Sequence, residues 1–165
     1  LALGKGPAQS AELEDWYRMI DTNIKGLVTV TRHLLPKLIA AGPGSTVINL
    51  GSIAAHTPYP GGHVYGATKA FVEQFSYNLR CDVGPQGVRV TDLAPGMTAS
   101  EFTLVRMKGD SSIANSYYEG AQPLQPEDIA EQALHVASLP PHVNITRLEV
   151  MPLCQQWSAP TILRD

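Results

Sequence analysis

An α/β fold, with a parallel sheet covered by helices on both faces, follows from three observations. Short runs rich in β-branched residues alternate with longer amphipathic stretches along the 165 residues. The short runs are apolar through most of their length rather than at every second residue, which suits strands buried on both faces. Each of them ends in a turn at the edge where open parallel sheets hold their ligands. Length and composition fit one domain over residues 1–165.

The elements follow in order. Ser10 is a candidate helix cap, with Glu12, Glu14 and Asp15 in the first turn, where acidic groups favour the helix dipole. Leu13, Trp16, Tyr17, Ile20, Ile24, Leu27, Val28 and Thr31 recur at spacings of three and four, an amphipathic helix. Pro36 kinks or restarts it, and the glycines around Pro43 end it. Residues 46–50 (Thr-Val-Ile-Asn-Leu) read as a strand buried on both faces, followed by a turn-rich loop over 51–62. A helix carrying Tyr65, Lys69, Val72 and Leu79 stops near Gly84-Pro85. Residues 87–93 form the next strand, ending at Pro95-Gly96. The polar stretch 98–122 holds one or two short helices, 127–138 form a helix begun by Pro126, and 144–151 form a third strand. The tail after Pro152 reads as irregular.

Bulk properties exclude several classes. Apolar residues make up 44% and charged residues 16%, as in a globular rather than a disordered chain. A net charge of −3 with scattered basic residues gives no electrostatic reason to expect nucleic acid or an anionic membrane. No apolar stretch approaches the roughly 20 residues that span a bilayer. Cys81 and Cys154 show no metal-type spacing, so no metal site is expected, and two reduced thiols in a cytoplasmic protein is the expectation.

The chemistry lies at the strand ends. Of six tyrosines only Tyr65 has a lysine four residues on, Lys69. At that spacing both side chains share one helix face, about 5–6 Å apart at Cβ. A phenol with a pKa near 10 is a poor acid or base at neutral pH, and a neighbouring cation lowers it. The pair can then move a proton to or from an alcohol oxygen. Ser52, thirteen residues earlier, sits where a strand ends and can bond a substrate oxygen in register with the phenol. Asn23 lies inside a helix, where asparagine is locally disfavoured; it either holds water or shapes the backbone, or is a satisfied core residue. Pro95-Gly96-Met97-Thr98 ends the next strand, where glycine lets backbone approach a flat ligand and Thr98 can donate to an amide oxygen. Arg106 falls in the irregular stretch, and a guanidinium there could clamp a carboxylate.

Asn23, the Ser52 to Tyr65-x-x-x-Lys69 spacing and Pro95-Gly96-x-Thr98 together resemble the short-chain dehydrogenase/reductase family. The likeness runs from the long helix to the last strand. It implies the C-terminal part of a doubly wound, Rossmann-like domain. Tyr65 is then the acid/base, Ser52 orients the substrate, Lys69 lowers the tyrosine pKa and binds the nicotinamide ribose, and Asn23 anchors a relay water. Pro95, Gly96, Met97, Thr98, Ala99, Ser100, Glu101 and Phe102 would lie along the cofactor. The stretches 19–23, 64–72, 89–93, 105–110 and 140–145 are more closely similar to NADP-dependent 3-hydroxy acid dehydrogenases. This implies a small substrate such as serine, allo-threonine or 3-hydroxypropionate, bound by Ser52, Tyr65 and Arg106. It also implies a homotetramer.

One departure stands out. No G-x-x-x-G-x-G or G-x-G-x-x-G occurs, and no residue is identifiable as the reader of the ribose or its 2′-phosphate. The nucleotide-binding half, on the order of 80 residues, would precede Leu1. NADP is therefore expected without NAD being excluded. Two explanations stand: an upstream half outside the sequence, or a true fragment that would bind dinucleotide poorly. Three rivals stand beside the main reading: a 3-oxoacyl thioester or sugar alcohol as substrate, a non-catalytic nucleotide-binding scaffold, and an epimerase.

Overall fold

A computed structural model of the chain describes residues 1–155; the end of the tail read as irregular lies outside the described residues. A 3₁₀ turn (Ala8–Ser10) precedes α1 (Leu13–Ile20), which passes through a π turn (Asp21–Gly26) into α2 (Leu27–Ala41). Then come β1 (Thr46–Leu50), α3 (His63–Val83), β2 (Arg89–Pro95), the short helices α4 (Glu101–Arg106) and α5 (Ser111–Ser116), α6 (Pro126–Ser138) and β3 (Arg147–Val150).

The three strands are parallel in the order β1-β2-β3. Thr46 pairs with Arg89 and Leu50 with Leu93; Asp92 pairs with Arg147 and Pro95 with Val150. The α/β alternation and the two short helices within 98–122 are as the sequence predicts. The second and third strands start two and three residues later than expected. Before β3, Asn144 substitutes for strand backbone. Its Oδ1 accepts from Val90 N–H (2.8 Å) and its Nδ2 donates to Val90 O (2.9 Å).

Three expectations change. Ser10 caps no helix: its hydroxyl donates to Pro7 O, and Glu12 stands before α1 without a capping side chain. Pro36 does not restart the helix: α2 runs through it. The long helix changes register at its π turn instead. Thr46–Leu50 is not buried on both faces. Asn49 is buried, but Leu50 is 57% exposed, because β1 is an edge strand among the described residues. Only β2, between two neighbours, is buried along nearly its whole length.

Two apolar clusters hold the layers together. Ala2, Leu3, Met19, Ala54 and Tyr65 form one, at the start of α3. Leu79, Val83, Val88 and Val90 form the other, at its far end, with Leu35, Leu38, Val47 and Phe75 packed against them. A buried cation adds to the second region. Arg89 lies within 3.5 Å of five backbone carbonyls, those of Gly44, Val136, Ala137, Leu139 and Val143. It satisfies the orphan carbonyls at the end of α6, where positive charge also suits the helix dipole.

Candidate active site

The site forms where β1 and β2 end and α3 begins. Gly51 and Ser52 leave β1, and Ser52 turns the chain into a short 3₁₀ segment (Ile53–Ala55) by accepting the Ala54 N–H at 3.1 Å. As an acceptor there, the Ser52 hydroxyl keeps its own O–H to donate. Tyr65 lies in the first turn of α3 and Lys69 one turn on. Lys69 Nζ donates to Leu50 O at 2.7 Å and sits 5.9 Å from the centre of the Tyr65 ring. Ser52, Tyr65 and Lys69 meet on a cavity of about 390 Å³ with Leu50, Pro95, Gly96, Thr98, Ser100 and Phe102. The larger depression beside residues 54–63, about 660 Å³, contains none of these three polar residues.

The segment beyond β2 divides. Pro95, Gly96, Thr98, Ser100 and Phe102 reach the cavity wall; Met97, Ala99 and Glu101 do not. Met97 N–H donates to the Gln155 side chain at Oε1 and Ala99 N–H to Leu124 O. Glu101 is exposed in the first turn of α4. The Thr98 hydroxyl donates to Gly96 O, and the Phe102 ring packs 5.5 Å from that of Tyr65.

Asn23 is buried inside the π turn, a distortion common at functional sites. Its side chain has protein partners at both ends. Nδ2 donates to Leu1 O (2.7 Å) and to Thr68 Oγ1 (3.0 Å), and Oδ1 accepts from Leu1 N (2.8 Å). Thr68 Oγ1 in turn donates to Tyr65 O. Asn23 therefore ties the long helix to the first turn of α3 and to residue 1.

The electrostatics differ from expectation at Tyr65. Burial raises the phenol pKa, and Tyr59 adds to this; the Ser52 hydroxyl and the Arg106 guanidinium pull it down. Lys69 stands beside the phenol with a backbone partner of its own. Its ammonium bonds to Leu50 O, and burial brings its own pKa down to about 8, against the pull of Asp92. Arg106 stands behind the phenol rather than on the cavity wall, 5.5 Å from the ring centre. It donates to Gly4 O (3.1 Å), Tyr59 Oη (3.0 Å) and Gly61 O (3.1 Å). None of these partners is acidic. Sequence reasoning missed Asp92 and Tyr59 as neighbours of the site, because both reach it through strand pairing or loop folding that local spacing does not encode.

The free space fits part of a nicotinamide dinucleotide. A cavity of this volume takes a ring-and-ribose fragment beside a small substrate, not a whole dinucleotide. Among the described residues no group of three or more His, Cys, Asp or Glu side chains is arranged to hold a metal. No helix there is long and apolar enough to cross a membrane.

Comparison with known proteins identifies the family. The family model described as short chain dehydrogenase matches residues 2–109. Sulfoacetaldehyde reductase 2 of Chromohalobacter salexigens is 59% identical over 165 residues, covering 100% of this chain and 66% of its own. An NADP-dependent 3-hydroxy acid dehydrogenase of Salmonella typhi is 51% identical over 166 residues, with the same coverage. The closed form of a serine dehydrogenase complexed with NADP+ superposes with a TM-score of 0.96 at 49% identity, over 100% of this chain and 66% of that one. The chain thus spans about two thirds of the length of the relatives it matches. The 3-hydroxy acid dehydrogenase likeness is joined by an even higher identity to a reductase of a sulfonate. The chain belongs to the short chain dehydrogenase family.

Proposed function

We propose that the protein of which this chain forms the catalytic part transfers a hydride reversibly between NADP and a small alcohol or aldehyde carrying an anionic group. The observation that carries the anionic preference is Arg106. It stands beside the Tyr65 ring, no carboxylate among the described residues pairs with it, and three neutral acceptors use three of its five N–H groups. Its positive charge is thus left without an acidic partner behind the phenol, where it favours an anionic substrate. Lys5 adds a second cation: burial and Arg106 both lower its pKa, and its Nζ lies over the Tyr117 ring.

The relatives share a substrate geometry. In sulfoacetaldehyde, in serine and in 3-hydroxy acids, one carbon separates the reacting carbon from the anionic group. The Arg106 charge behind the phenol suits an anion at that spacing and tolerates either kind. Serine, allo-threonine and 3-hydroxypropionate fit it, as does sulfoacetaldehyde.

Bound NADPH would supply the hydride to the carbonyl carbon; the NADP-dependent names among the relatives support that cofactor over NAD. Lys69, with Pro95, Gly96, Thr98, Ser100 and Phe102, would hold its nicotinamide end. The chain supplies the proton. Tyr65 Oη donates to the carbonyl oxygen as it becomes an alcohol, and Ser52 donates a hydrogen bond to the same oxygen. The Lys69 ammonium stabilises the phenolate left behind, and Asn23 secures the turn that carries Tyr65. The same reading carries a cytoplasmic homotetramer, supported by family likeness.

The test is a substrate panel with the full-length protein. Sulfoacetaldehyde and malonic semialdehyde are compared with propanal under NADPH and under NADH. The expected result is a kcat/KM for the anionic aldehydes about 10²-fold or more above propanal, cut by a similar factor in Arg106→Gln mainly through KM, as loss of a charge-assisted pair implies. Equal turnover of propanal, or an unchanged Arg106→Gln, contradicts it.

A further inference from the structure

Behind the turn that carries Ser52 lies a carboxylate with no part in proton transfer. Asp92, on β2, is 0% exposed, and neither of its oxygens closes a hydrogen bond. Buried polar atoms are nearly always paired, because leaving one unpaired costs the desolvation of the group. The shape around it is tight: a Cβ on Gly51 would overlap Asp92 Oδ1, so only glycine fits there. On its other side Asp92 Oδ2 lies 3.4 Å from Arg147 Nε.

The same turn holds Lys69. Leu50 O accepts its Nζ, and Leu50 is the residue before Gly51. Carboxylate and ammonium therefore abut one two-residue turn, the first against Gly51 and the second at Leu50. The remaining ionisable groups near Asp92 are Glu73 and Tyr77 of α3, and Arg147 of β3. Arg147 is itself shared with Glu73 (3.6 Å) and Glu149 (2.7 Å), and His56 lies against both carboxylates. With Arg147 divided among three carboxylates, the cation of the site is the other counter-charge available to Asp92.

We propose that Asp92 is a positioning residue of the active site, which holds Lys69 as an ammonium against the Leu50–Gly51 turn. The inference rests on the reading above, in which a protonated Lys69 supports the Tyr65 phenolate. Its pH dependence follows. Burial and Glu73 push Asp92 up to about 6, while Arg147 and Lys69 pull it down. Burial brings Lys69 down to about 8, and Asp92 opposes this. Below the first value Asp92 is neutral and no longer holds the proton on Lys69; above the second the ammonium itself is lost. Both charges coexist between the two, and removing the Asp92 charge moves the upper limit down.

The experiment uses full-length protein with Asp92→Asn, which keeps the shape beneath Gly51 and removes the charge. The Lys69 side chain is titrated by carbon NMR, its signal assigned by its loss in Lys69→Met, and the pH profile of kcat/KM is measured in parallel. The expected result is a Lys69 midpoint lower by about half a pH unit or more, roughly threefold in the proton equilibrium, with the alkaline limb of kcat/KM moving the same way. A folded Asp92→Asn whose Lys69 midpoint and alkaline limb stay in place overturns the proposal, since a purely structural aspartate would change melting temperature alone. Should that variant not fold, Arg147→Gln and Glu73→Gln decide the matter. The first must move the acid limb up and the second down; limbs that stay put overturn it. If wild-type protein turns over no substrate, the functional reading fails, and the NMR midpoint still judges Asp92.

Discussion

The two ends of α3 differ in what burial does to them. The helix is roughly 30 Å long at 1.5 Å per residue. Its first two turns carry Tyr65, Thr68 and Lys69, and there burial disturbs titratable groups, with Tyr65 pushed up and Lys69 down. Its last turns carry Leu79 and Val83 against Val88 and Val90, with Ser76 satisfied by Val72 O and by Asn49. At that end burial removes apolar surface from water and leaves the Ser76 hydroxyl paired. One helix thus packs an apolar cluster at each end and presents reactive groups at only one. The difference teaches that stability and chemistry can be changed separately here.

Two variants probe that separation, the larger effect first. Lys69→Met at the reactive end removes the ammonium beside the phenol. The expected outcome is a loss of turnover of about 10²- to 10⁴-fold, the range of general acid–base contributions, with melting temperature nearly unchanged. A large drop in melting temperature would show that the reactive end also carries the fold. Leu79→Ala at the other end opens a cavity in the second cluster. It should cost about 2–4 kcal/mol in denaturant unfolding and leave kcat per folded molecule as it was. A loss of kcat in that variant would join the two ends after all.

What the sequence made legible follows the same division. Tyr65, Lys69 and Ser52 could be read because helix period and strand end are local patterns, and the structure gathers them on one cavity. The α/β alternation was legible for the same reason. Other features depend on what lies far away along the chain. The exposure of Leu50 depends on a sheet edge. Arg89 reads as an ordinary strand residue until α6 brings its last carbonyls over it. Asp92 reads as a strand-end polar residue until Gly51 and Arg147 enclose it. The π turn at Asn23 leaves no mark on apolar periodicity, because the stripe continues through Ile24 and Leu27. The rise of the Tyr65 pKa escaped for a similar reason: spacing reports a neighbouring lysine, whereas burial depends on the packed cluster around the ring.

The central claim is that Tyr65 moves the proton. It is tested most directly by Tyr65→Phe in the full-length protein, with NADPH affinity and sulfoacetaldehyde turnover measured on the same sample. The account predicts unchanged cofactor affinity and a kcat reduced by about 10³-fold or more, because the ring packing stays and only the hydroxyl is lost. Turnover within tenfold of wild type would contradict it.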